Sequence, residues 1–155
     1  MIYWFMGQPA CGKTTLAKMF IQYRQMPNVI FLDGDDLRKI FGAYSAEHFT
    51  KEYRQQWTQT LQRFVAHVAD QGINVVMATV NPYREIREQF KKSRQDVKEI
   101  YVYKTDPRQR ENYAVEGFEE PLENFIGINT TGRTPDQSTR EILEKLGMVA
   151  PLDSK

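Results

Sequence analysis

The chain opens on five apolar residues, Ile2-Tyr3-Trp4-Phe5-Met6, a run too short for a helix and of strand composition. A polar, glycine-bearing stretch follows. Leu16, Met19, Phe20 and Tyr23 then recur every three or four positions and predict a helix over residues 14–23. Pro27-Asn28 breaks that pattern, Val29-Ile30-Phe31-Leu32 predicts a short buried strand, and a second helix is expected from Asp35 or Asp36 to about Phe41. Across residues 46–70 the apolar positions Phe49, Tyr53, Trp57, Leu61, Phe64, Val65 and Val68 form one stripe, the signature of a long amphipathic helix with Phe49 turned to the core. Gln71-Gly72 closes it. Residues 73–80 are apolar and β-branched, as in a strand buried on both faces of a parallel sheet, and Asn81-Pro82 ends them. A basic helix with Ile86 and Phe90 inward is expected over residues 83–94, and a fourth strand over residues 97–103.

Beyond Thr105 the pattern loosens. A helix starting at Asp106-Pro107 fades by Val115, and residues 116–133, with their glycines, acids and few apolar side chains, are expected to form a lid. Thr134-Pro135-Asp136-Gln137 is a capping box with Pro at the first helical position, opening a final helix that Gly147 stops. The last eight residues are expected to fray. Alternating strands and helices predict an α/β fold, a doubly wound and mostly parallel sheet flanked by helices, with ligands at the carboxyl ends of the strands. The 155 residues make one domain.

Composition changes this picture only by exclusion. The formal net charge of +1 gives no general attraction to nucleic acid or to an anionic membrane, though a local basic groove is allowed. No apolar run nears the roughly 18 residues of a membrane span, and no leader pattern precedes the first strand, so a soluble, cytoplasmic protein is expected. Cys11, the single cysteine, excludes an internal disulfide and a cysteine metal cluster. It is either a small filler of its loop or an alkylation-sensitive thiol.

The chemistry concentrates in Gly7-Gln8-Pro9-Ala10-Cys11-Gly12-Lys13-Thr14, which fits the phosphate-loop pattern and lies between a strand and a helix, the context that pattern needs. Its N–H groups would cradle a polyphosphate, Lys13 would reach the β and γ phosphates, and the Thr14 hydroxyl would serve Mg²⁺. Asp33, directly after the second strand, is the carboxylate placed to hold Mg²⁺ or to receive the acceptor's proton, and Gly34 would let the chain turn into the crevice. Asp35 and Asp36 suit helix capping as well as a site role. Arg38 is a forked cation for phosphate or sulfate. Arg84, Arg87, Lys91, Lys92 and Arg94 are either a solvated helix face or a nucleic-acid track.

Three stretches in register carry a resemblance: residues 7–15, then Leu32-Asp33-Gly34-Asp35-Asp36-Leu37-Arg38, then Asn81-Pro82-Tyr83-Arg84-Glu85-Ile86-Arg87. They resemble the phosphate loop, the Leu-Asp-Gly-Asp-x-x-Arg motif and the Ser-Pro-Tyr-Arg-x-x-Arg motif of the adenylylsulfate kinase family. The resemblance implies a phosphate-loop phosphotransferase using ATP and Mg²⁺, moving the γ-phosphate to a hydroxyl of a nucleotide-like anionic acceptor, with adenylylsulfate leading. Lys13, Asp33 and Arg38 are then the catalytic group, and Gly7 to Thr15 bind nucleotide, with Arg110 a doubtful cover for the adenine. Thr14 and Asp33 serve the metal. Asp35, Arg38, Tyr44, Arg54, Asn81, Pro82, Tyr83, Arg84 and Phe125 face the acceptor. A homodimer is allowed.

Two departures stand out. The family's Asp-Arg-x-x-Asn reads His48-Phe49-Thr50-Lys51-Glu52 here, and its lid signatures shrink to Glu116-Gly117-Phe118, with Phe125-Ile126-Gly127-Ile128-Asn129 resembling Phe-Thr-Gly-Ile-Asp. Other acceptors therefore stay open, namely another nucleotide or sugar derivative or a hydroxyl on DNA, as does a non-catalytic nucleotide-binding module.

Overall fold

The computed structural model describes residues 1–105 and 115–148. Five strands, β1 (Ile2–Met6), β2 (Val29–Asp33), β3 (Asn74–Thr79), β4 (Val97–Tyr103) and β5 (Phe125–Asn129), form one sheet in the order β2-β3-β1-β4-β5. Every neighbouring pair is parallel. The connecting helices are α1 (Lys13–Arg24), α2 (Gly34–Ile40), α3 (Lys51–Asp70), α4 (Arg84–Ser93) and α5 (Pro135–Lys145).

The central strands are buried on both faces, which is why β1 and β3 read as unbroken apolar runs. In β1, Tyr3 and Phe5 join Phe20 of α1 and Ile142 and Leu143 of α5 on one face. On the other face Ile2, Trp4 and Met6 pack with Leu61 and Val65 of α3 and Phe90 of α4. The period-two alternation of a strand thus feeds two cores at once.

Several sequence expectations are corrected. β2 is an edge strand, and among its residues only Leu32 is buried. The long helix is broken: Ala46–Phe49 form a single tight turn, and Thr50 then caps α3 by accepting the Tyr53 N–H. Phe49 consequently does not enter the core, nor does Phe64 within α3, and both remain more than a third exposed. The expected lid is also shortened, because residues 125–129 are β5 and pair with β4. Short-range pattern did not reveal β5, since Gly127 interrupts its apolar residues Phe125, Ile126 and Ile128 and its partners lie far upstream in β4, Glu99 opposite Phe125. The expected helix after Asp106, with Arg108 and Arg110, and most of the terminal residues expected to fray lie outside the described residues.

Candidate active site

The carboxyl ends of β1, β2 and β3 open into a cavity of about 550 Å³ whose walls include the phosphate loop, Asp33, Arg38, Phe49, Trp57 and Asn81. The loop leaves β1 at Gly7, packed so closely on β4 that a Cβ there would lie 2.1 Å from the Val102 carbonyl oxygen. Any side chain would push the loop off the sheet. Gly12, in left-handed backbone, leads into α1.

Lys13 is half-buried, and its Nζ donates to the Gln8 carbonyl at 2.7 Å. Burial pulls its pKa down, with Cys11, Asp35 and Asp33 offsetting part of the effect. A desolvated cation beside an open cavity fits a polyphosphate, whose charge would restore it.

Asp33 is the last residue of β2 and the N-cap of α2 at once. One oxygen, Oδ1, accepts the N–H groups of Asp35 at 2.9 Å and Asp36 at 3.3 Å, and the other, Oδ2, accepts the Thr14 hydroxyl at 2.8 Å. The capping role considered for Asp35 and Asp36 therefore belongs to Asp33, and those two acids sit in the first turn, where the helix dipole favours them. Gly34 does not provide a sharp turn. It is the first residue of α2, and a Cβ there would come within 3.1 Å of the Thr79 side chain. The adjacent hydroxyl and carboxylate of Thr14 and Asp33 are hard oxygen donors of the kind Mg²⁺ takes in ones and twos beside substrate phosphates.

On the acceptor side, Arg38 is buried. Its Nη1 donates to the carbonyls of Ala43 at 3.0 Å and His48 at 2.9 Å, and its guanidinium lies 4.3 Å from the Phe49 ring centroid and 5.4 Å from that of Trp57. Burial depresses its pKa, and the neighbouring Arg54 acts in the same direction. Arg54 donates Nε to the Phe49 carbonyl at 2.9 Å and also lines the cavity. Two guanidinium groups near one cavity wall suit an anion.

Most cations of the basic run are engaged within the fold. Arg87 is 3% exposed and donates to Glu99 at 3.0 Å, Lys91 pairs with Glu88 and Glu99, and Arg94 pairs with Asp70 and Asp96. Arg84 donates Nε to the Glu120 carbonyl at 2.5 Å. Lys92, by contrast, is exposed. Four of the five cations of the run are thus spent within the fold, leaving little charge to track a backbone of phosphates.

A model of the adenylylsulphate kinase family matches residues 1–139. The chain belongs to the adenylylsulphate kinase family. Among relatives, a probable adenylyl-sulfate kinase of Pyrococcus abyssi is 28% identical, the match covering 92% of each chain. A cytidine diphosphoramidate kinase of Campylobacter jejuni is 26% identical over 87% of this chain and 81% of its own. The solved structure of the Mycobacterium tuberculosis adenylylsulfate kinase in complex with AMPPNP and APS superposes with a TM-score of 0.76 at 18% identity, covering 94% of this chain and 96% of that one. The fold is thus that of the family's phosphate-loop kinases, and the chain is an ATP-dependent phosphotransferase.

Of the residues the family motifs single out, Pro9, Ala10, Gly12, Lys13, Thr14, Thr15, Asp33, Asp35, Arg38, Arg54, Asn81 and Pro82 line the cavity. Others stand away from it. Gln8 and Cys11 belong to the loop but do not line the cavity, the Gln8 side chain being bonded to Val115 and the Cys11 carbonyl accepting from Thr130. Tyr44 is half exposed and meets Phe49 edge-on at 5.9 Å. Tyr83 is buried at the start of α4, and Arg84 is turned to Glu120. Phe125, expected to face the acceptor, opens β5 and meets the Tyr101 ring edge-on at 6.4 Å, and it is not among the residues that line the cavity. Residues that sequence reasoning passed over also line the cavity, among them Trp57, Thr58 and Thr79. The rule that ligands sit at strand carboxyl ends points to Thr79, whereas Trp57 on a helical apolar stripe carries no signal apart from packing.

Proposed function

We propose that the protein transfers the γ-phosphate of ATP to a ribose hydroxyl of adenylylsulfate. The observation that carries this reading is the pairing of Thr14 with Asp33 in a cavity that Arg38 and Arg54 also line. The nucleotide with its magnesium ion supplies the phosphoryl group and the charge that stabilises its transfer. Gly7 to Thr15 cradle the phosphates through backbone N–H groups and Lys13 neutralises them. Asp33 Oδ2, once Thr14 turns to the metal, is the oxygen that orients the acceptor hydroxyl and takes its proton. Arg38 holds the acceptor's anionic group, its place fixed by Ala43, His48 and the Phe49 and Trp57 rings. Asn81 and Pro82 close the acceptor side, and walls of this kind keep water from the reacting phosphoryl group.

The chain is proposed to act in the cytoplasm as a homodimer. No helix among the described residues is long and apolar enough to cross a membrane. Ile40, Phe41 and Tyr44, each more than half exposed, would supply apolar surface for a second copy. Light scattering at micromolar concentration checks the assembly, and a monomer mass would reject it.

The acceptor is tested by incubating the protein with γ-labelled ATP and either adenylylsulfate or cytidine diphosphoramidate, the substrate named for the Campylobacter relative. Label appearing on adenylylsulfate supports the assignment. Label only on the cytidine compound would move the acceptor to that class, and the replacement of the family's arginine by Phe49 would then be read as a rebuilt specificity wall.

A further inference from the structure

Two loops that follow the neighbouring strands β1 and β3, and that meet where the Gly7 N–H donates to the Val80 carbonyl at 3.4 Å, are joined a second time through one short stretch, residues 115–119. At one end the Gln8 side chain pairs with Val115 much as a neighbouring strand would: the Val115 N–H donates to Gln8 Oε1 at 2.7 Å and Gln8 Nε2 donates to the Val115 carbonyl at 3.2 Å. At the other end the Glu119 N–H donates to the Pro82 carbonyl at 2.8 Å, and the Glu119 carbonyl accepts from Arg87 Nη2. Arg87 Nη1 donates in turn to the Asn81 carbonyl at 2.7 Å, while Nε is bound to Glu99 at 3.0 Å. Arg87 does not line the cavity, yet Asn81 and Pro82, whose carbonyls this network holds, both do.

We propose that residues 115–119 are a tie that makes the acceptor loop respond to the phosphate loop, with Gln8 and Arg87 as its positioning residues. The proposal rests on the kinase reading above. Gln8 is where occupancy of the phosphate loop is first felt, because its carbonyl holds Lys13 Nζ until a phosphate draws the ammonium away. An amide that donates and accepts with one partner residue forms both bonds in a single orientation, so Val115 follows Gln8 instead of slipping past it. At the far end Asn81 sits at φ 48°, left-handed backbone that asparagine enters more readily than other residues with a Cβ but holds more firmly where its surroundings insist. The fork of Arg87 supplies that insistence by holding the carbonyls of Asn81 and Glu119 together, which a lysine ammonium cannot reproduce with fixed geometry. Asn81 is 6% exposed, and its Oδ1 has no hydrogen-bond partner among the described residues, so the side chain on the acceptor wall depends on this backbone for its place.

The test is amide hydrogen exchange on the full chain with and without MgAMPPNP, which requires no acceptor. In the wild type, saturating MgAMPPNP slows exchange roughly fivefold or more across residues 81–87 and 115–119, a ratio within the usual range of coupling between sites. Gln8→Ala, at a MgAMPPNP concentration that restores full occupancy, keeps the slowing in the phosphate loop and loses it in residues 81–87. Arg87→Lys loses it in the same residues. Glu99→Gln, which removes the charge opposite Arg87 but neither bond to the loops, lowers Tm and retains the slowing. An acceptor loop that does not respond in the wild type, that still responds in Gln8→Ala, or that is silenced equally by Glu99→Gln would overturn the tie. With a turned-over acceptor, the double variant Gln8→Ala/Arg87→Lys should lose no more kcat/KM than the worse single variant, because both cut one connection. Independent sites would add. A wild type that ignores adenylylsulfate yet shows the exchange pattern sinks the acceptor assignment and supports the tie, whereas turnover without the pattern does the reverse.

Discussion

The proposed donor and acceptor halves of the cavity are built on different principles. The phosphate loop is one continuous stretch of sequence between β1 and α1, held by backbone geometry, and it matches its pattern at every required position. The acceptor half is assembled from three places: Arg38 on α2, Phe49 to Thr58 around the start of α3, and Asn81 after β3. Where the family resemblance calls for an arginine and an asparagine, this half has Phe49 and Glu52. A site made of one loop is constrained as a unit, whereas a site made of three elements can exchange one wall and keep the others.

The comparison can be broken most forcefully at Asp33, the group at the junction of the halves. Asp33→Asn should cost kcat about 10³- to 10⁴-fold, the scale of removing a positioned base, while ATP affinity is retained. Because asparagine caps a helix about as well as aspartate, Tm should stay unchanged, and a large fall in Tm would point to the cap as the cause of any lost activity. Lys13→Ala should follow, costing roughly 10²- to 10³-fold in kcat with every acceptor alike, since the loss lies on the donor side. An acceptor-dependent loss would contradict the division into halves.

Arg38→Lys sharpens the distinction from the other side. It should lower acceptor kcat/KM about ten- to a hundredfold, the worth of a charge-assisted hydrogen bond, with the ATP KM unmoved. An equal change in both KM values would mean that the turn at Ala46–Phe49 had collapsed. A small control lies at the opposite end of the sheet, where the hydrogen bond from Arg94 holds the Asp96 carboxyl below its usual range. A carboxylate with a depressed folded pKa stabilises the protein above the unfolded value near 3.9 and loses that contribution as pH falls through the folded value. Asp96→Asn should therefore cost at most about 1 kcal/mol at neutral pH, the group being partly exposed, and the difference in Tm from wild type should vanish well below pH 4. Activity in either half should not change.

The same contrast decides what could be read in the amino-acid sequence. The four strands up to Tyr103, the phosphate loop, Asp33 and the capping box at Thr134 were legible because each rests on contiguous residues whose spacing carries its own physics. β5 was not, since a short segment with a glycine at its centre becomes a strand by pairing with β4. Phe49 misled because helical periodicity runs straight through Thr50, which in the fold ends one turn and caps the next helix. Arg87 looks like a surface charge on a basic helix, and only Glu99 from β4 together with the carbonyls of Asn81 and Glu119 explains its burial. Long-range partners of this sort leave no trace in local spacing.

The most direct measurement is the rate of ADP release with MgATP, alone and with adenylylsulfate added, on the full chain. The account predicts slow release alone and release accelerated at least a hundredfold by adenylylsulfate, saturably, with one phosphorylated nucleotide formed per ADP. Release that is unaffected by adenylylsulfate, in a protein that binds MgATP, would contradict the acceptor assignment and leave the donor half as the part of the account that stands.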